Sequence, residues 1–129
     1  MGIKFIKVSV VYFTIGVILG MYMSMGHDYT LKGVHVHISL LGWVSFALAG
    51  LIYYLFPKAG NHTLAKVHFW ASNIGLLLMM VGLSTLLLSG AEQAVTFISI
   101  GATLVVISVI LFAFNVLMNV KFPVITVKE

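Results

Sequence analysis

Long apolar runs alternate with short polar joints along this chain. Four runs stand out, Phe5 to Met25, Val34 to Phe56, Leu64 to Leu88 and Ala94 to Val120. Each meets the roughly 20 residues a helix needs to cross a hydrocarbon core of about 30 Å. The joints carry turn chemistry: Gly26-His27-Asp28 ahead of Lys32-Gly33, then Pro57 through Thr63, then Ser89-Gly90 followed by Glu92. Thr63 is expected to cap the start of the third helix and Gly90 to end it. Connections this short make successive helices antiparallel neighbours. The pattern therefore predicts an all-α fold, an integral membrane four-helix up-down bundle, as one four-transmembrane-helix domain over 1–129.

Composition agrees: 61% of residues are apolar and 8% charged, against roughly 25% charged in soluble domains. The first span is too long for a signal peptide and lacks a small-residue exit, so it is expected to remain as a helix. Cysteine is absent, which excludes disulfides, thiolate metal sites and thioether attachment of a c-type haem. Charge placement predicts topology. Lys4, Lys7, Lys58, Lys66, Lys121 and Lys128 flank one side, while Lys32 stands on the other with Asp28 and Glu92. By the positive-inside rule both termini are expected in the cytoplasm, the chain being multi-pass in the cell inner (cytoplasmic) membrane, with the lipid bilayer as its first partner. Scattered lysines without arginine give no nucleic-acid surface.

Polar and aromatic residues inside the spans have ordinary uses. Tyr22, Tyr29 and Trp43 at one level and Tyr53, Tyr54 and Trp70 at the other are expected as interfacial belts. Asn73 and Asn115 are expected to hydrogen-bond between helices. Gly16 and Gly20 form a G-x-x-x-G that brings two backbones close, within the bundle or between subunits. Met21, Met23 and Met25 are read as packing, although thioethers also bind Cu(I). Pro123 is expected to stop the last helix. His27 and His62 fall in loops and are expected to be solvated.

Two histidines raise a chemical question. His35 and His37 open the second span one residue apart, so at about 100° per residue their side chains point about 200° apart. They cannot share one metal, which separates them from chelating pairs at i and i+4. Either water at the interface satisfies both, or each serves a separate site on its own flank. Imidazole ligates haem iron, and an apolar helical slot suits a porphyrin. Gly42, seven residues after His35, either admits a flat macrocycle or serves helix packing. His68 lies roughly 30 Å from His35 along the bilayer normal and cannot reach the same iron; it is expected to bond the 57–63 turn.

The run His35-Val36-His37-Ile38-Ser39-Leu40-Leu41-Gly42-Trp43, with Gly50, Tyr53, Tyr54 and Pro57, resembles the tenth transmembrane helix of subunit I of the heme-copper oxidases and nitric oxide reductases. Val67-His68-Phe69-Trp70 through Gly75 resembles their eleventh. The whole chain is similar to one four-helix arc, helices nine to twelve, of that subunit. The resemblance implies axial haem-ligand roles for His35 and His37, and places Lys32 and Tyr29 at the depth of haem propionates. It also implies haem b held between His35 of one subunit and His37 of its neighbour in a homotrimer, acting with a redox partner in electron transfer, or in gas sensing. A minimal oxidase or nitric oxide reductase, or a haem or copper carrier for oxidase assembly, is the alternative. No copper-binding histidine cluster and no intramembrane carboxylate is visible, so copper is not expected and the balance leans away from an enzyme.

Overall fold

The computed structural model describes residues 1–121, all of whose long elements are helical. The expectations for Pro123 and Lys128 lie outside the described residues. Among the described residues four helices are long and apolar enough to cross a membrane: α1 (Gly2–Gly26), α2 (Lys32–Leu55), α3 (Thr63–Ser89) and α4 (Ala94–Asn119). At about 1.5 Å per residue each exceeds the hydrocarbon thickness. They sit within a few residues of the four apolar runs.

Helix contacts establish the up-down order. Gly2 at the start of α1 meets Tyr54 near the end of α2. Tyr53 in turn meets His68 in the first turns of α3, and Ser72 of α3 bonds Ser108 in the second half of α4. Lys4, Lys7, Lys58, Lys66 and Lys121 therefore share one end of the bundle, and Asp28, Lys32 and Glu92 the other.

Small residues set the closest approaches. A Cβ on Gly101 would stand 2.5 Å from the Met79 nitrogen and 2.6 Å from the Gly75 oxygen, so the backbones of α3 and α4 touch, the means by which helices associate in lipid. The buried Ser72–Ser108 hydrogen bond, 2.8 Å, lies about one turn from Gly75 and two from Gly101. Gly16 and Gly20 serve the contact of α1 with α2, facing Ser39 and His35. At the lysine-rich end Phe5, fully buried, packs on Phe46, His68 and Phe69 with ring centroids 5.2, 4.7 and 5.1 Å away. The outward faces stay apolar, with Leu117 83% and Ile110 61% exposed, which only a lipid surround tolerates.

Two local expectations are corrected, and one feature is new. His62, not Thr63, caps α3: its Nδ1 accepts from the Leu64 N–H at 3.2 Å, an imidazole doing what a hydroxyl commonly does. Tyr53 is 2% exposed and belongs to the interior rather than a belt, whereas Tyr54 and Trp70 are each 60% exposed. Finally, α2 is not uniform. Ile38–Ser45 is a π-helical segment between the α-helical stretches Lys32–His37 and Phe46–Leu55. Gly90 does end α3 as expected, with φ 68° in the left-handed region.

Candidate functional site

His35 and His37 lie in the regular α-helical turn that opens α2, so the spacing of about 200° around the axis holds. Both are half-buried. His35 rests on α1: its Nδ1 is 2.9 Å from the Gly16 carbonyl oxygen, and a Cβ on Gly20 would stand 3.0 Å from its Cε1. The ring fits because both α1 positions lack side chains. His37 turns back along its own helix, with Nδ1 2.7 Å from the Gly33 carbonyl oxygen.

These two hydrogen bonds fix the chemistry of the rings. A carbonyl oxygen only accepts, so Nδ1 of each imidazole carries the hydrogen and donates it. In the neutral ring the lone pair then sits on Nε2. That is the arrangement found where a histidine ligates metal through one nitrogen and is oriented through the other. Both rings thus fit axial ligation of haem iron, and on opposite flanks they cannot ligate one ion within one chain. Beyond His37, α2 presents Leu40 and Val44, which are 56% and 40% exposed, apolar surface of the kind a porphyrin face needs. Among the described residues, no three His, Asp or Glu side chains gather into a chelate.

The other candidates divide by position. Lys32 and Tyr29 stand at the same end as the pair, with the Lys32 N–H donating to the Tyr29 carbonyl at 3.0 Å; Tyr29 is 57% exposed. Gly42 shares the α1-facing side with His35, but the space beside it is filled. A Cβ there would stand 2.6 Å from Cγ of Tyr12, so its glycine serves helix packing inside the π segment. Tyr12 goes on to donate to Asn73 Oδ1 of α3 at 3.4 Å.

His68 departs from expectation. It is 5% exposed and bonds not the 57–63 turn but the hydroxyl of Tyr53, at 3.0 Å. Asn115 makes the bond to that turn, donating to the Ala59 carbonyl at 3.1 Å and to the Tyr53 hydroxyl oxygen at 3.4 Å. Asn115 and Asn73 do bridge helices, as expected.

Two curated relatives share this chain's pattern. A cytochrome c oxidase subunit 1 homolog (bacteroid) of Bradyrhizobium diazoefficiens is 31% identical over 105 residues, covering 70% of this chain and 18% of the relative. The Cbb3-type cytochrome c oxidase subunit CcoN1 of Stutzerimonas stutzeri is 28% identical over 95 residues, covering 63% of this chain and 20% of the relative. The chain resembles subunit I of the heme-copper oxidases. This subunit I-like chain spans about a fifth of the length of those relatives. No family model matches it, and no solved structure matches it at a significant level.

Proposed function

We propose that the protein is a b-type haem protein of the inner membrane, with iron held between His35 of one subunit and His37 of the partner subunit in a closed homotrimer. The observation that carries this reading is the pair of half-buried imidazoles on opposite flanks of α2, each with Nδ1 committed to a backbone carbonyl. A ligand pair that cannot meet within one chain can meet between chains, and a ring of three returns each flank to a neighbour. Similarity to subunit I of the oxidases supports haem as the group.

Haem iron held by His35 and His37 would supply a one-electron centre. The chain's own part is to orient the rings. Gly16 and Gly33 hold Nδ1–H, and Gly20 leaves room for the His35 ring. Leu40 and Val44 would offer the group apolar surface, while Lys32 and Tyr29, at the same end as the pair, would be available to its carboxylates. With both histidines ligating, the group would serve electron transfer with a redox partner; with one position open it would serve gas sensing. With five lysines at one end of the bundle, both termini face the cytoplasm.

The test is the reduced and oxidised visible spectrum of the purified protein together with its mass in detergent. Narrow low-spin bands from a trimer support the reading. A colourless protein, or a coloured monomer, overturns it.

A further inference from the structure

Between α2, α3 and α4 lies a cavity of about 280 Å³, walled by side chains such as Phe46, Ala49, Leu76 and Phe112. Leu48 and Val109 also line it and are 56% and 50% exposed, so it opens sideways, where lipid would lie. Its hydroxyls are committed elsewhere. Ser45 donates to the Leu40 carbonyl, Ser72 to Ser108, and Ser108 to the Val105 carbonyl. His68, 5% exposed, also lines the cavity and, among the described residues, is bonded only through Nδ1. Among the described residues no sealed side-chain nitrogen or oxygen lacks a partner. Among those residues Nε2 of His68 has no partner, which points it to the open space that His68 lines, this cavity.

The hydrogen on that nitrogen can be assigned from its neighbours. The Ala59 carbonyl only accepts, so the Asn115 atom 3.1 Å from it is the amide nitrogen. The same nitrogen donates to the Tyr53 oxygen at 3.4 Å. Tyr53 then keeps its own hydrogen for His68 Nδ1, 3.0 Å away, which leaves the imidazole hydrogen on Nε2. An imidazolium would carry one there as well. The cavity therefore presents a single N–H donor at the end of a chain running from Asn115 through Tyr53 to His68.

We propose that this cavity binds a flat, membrane-soluble carbonyl compound of quinone type, its ring between α2 and α4 and one carbonyl oxygen accepting from His68 Nε2–H. The volume lies at the low end of small-molecule sites, roughly 300 Å³, enough for one substituted ring and too little for a macrocycle. An acyl chain would fill the space but leave the buried donor unpaired, which is costly. A carbonyl oxygen satisfies it without bringing charge into lipid. The proposal does not depend on the haem reading, since His68, in the first turns of α3, lies at the opposite end of the bundle from His35.

The experiment compares two probes of one shape, tetramethyl-1,4-benzoquinone and 1,2,4,5-tetramethylbenzene, for saturable binding to the protein in lipid nanodiscs, above that of empty nanodiscs. The quinone is expected to bind at least tenfold tighter than the hydrocarbon. His68→Phe should erase that preference, and Ala49→Leu, which grows a side chain into the cavity, should abolish binding of both. Tyr53→Phe releases the tautomer and should weaken the quinone alone. Equal binding of the two probes, no saturable binding of either, or a preference that survives His68→Phe overturns the proposal. Circular dichroism of each variant confirms that the helices remain; if His68→Phe does not fold, Ala49→Leu and Tyr53→Phe decide.

Discussion

Gly20→Ala probes the seat of His35 with one methyl group. The added Cβ would stand 3.0 Å from Cε1 of His35, 3.5 Å from Nδ1 and 3.7 Å from Nε2, where ordinary contact begins near 3.4 Å. The ring must retreat by about 0.4 Å, the difference between those two limits. Gly16, which accepts the ring's hydrogen bond at 2.9 Å, lies on the same helix, so retreat from one is retreat from the other. The Nδ1–O distance then rises to about 3.3 Å, beyond the usual 3.2 Å limit. Loss of a hydrogen bond that orients a ligating histidine typically costs 10- to 100-fold in metal affinity. Because this bond is stretched rather than removed, the expected loss of haem affinity is about tenfold. Haem titration of the apoprotein in nanodiscs measures it, with Gly26→Ala as control, since a Cβ there meets nothing within 4 Å. Unchanged affinity in Gly20→Ala, alongside loss of binding in His35→Ala, would refute the claim that the α1 seat orients the ring.

Three other perturbations test the fold around the site. Gly101→Ala should force α3 and α4 apart, because its Cβ meets backbone 2.5 Å away; overpacking of this kind costs about 1–3 kcal/mol, read as a lower midpoint in denaturant unfolding. Asn115→Leu strands the Ala59 carbonyl and removes the donor to Tyr53, and should destabilise by about 1 kcal/mol in the same assay, given roughly 0.6 kcal/mol per membrane hydrogen bond. At the joint between α1 and α2, the Thr30 hydroxyl and N–H donate to Asp28 at 2.6 and 3.0 Å and hold its carboxyl below the usual range. That contribution is present at neutral pH and is lost as pH falls through the lowered value; Thr30→Val should move the Asp28 titration upward when followed by NMR.

The four spans and their alternating direction were legible because apolar length and short joints leave little choice. Inward and outward sides were not. Each helix is apolar on all faces, so no periodicity separates Tyr53, buried at 2%, from its neighbour Tyr54, exposed at 60%. The same blindness hid the partner of His68, which lies fifteen residues back on the preceding helix. The opposite flanks of His35 and His37 followed from geometry alone, since both precede the π segment. That segment had no signal in Ile38-Ser39-Leu40-Leu41-Gly42. Tyr12 lying on Gly42 within it explains why the glycine admits a ring from α1. Gly16 and Gly20 were readable as a close contact, but their role as the seat of His35 needed the structure.

The shared-ligand claim is tested most directly by co-expressing His35→Ala and His37→Ala chains and recording the reduced spectrum of the mixed assembly. Each variant alone should lack low-spin bands, whereas random mixing restores an intact His35–His37 pair at roughly a quarter of interfaces in a closed ring, and the bands should return at about that fraction. Bands that persist in either variant alone, or that fail to return on mixing, would contradict an iron held between subunits.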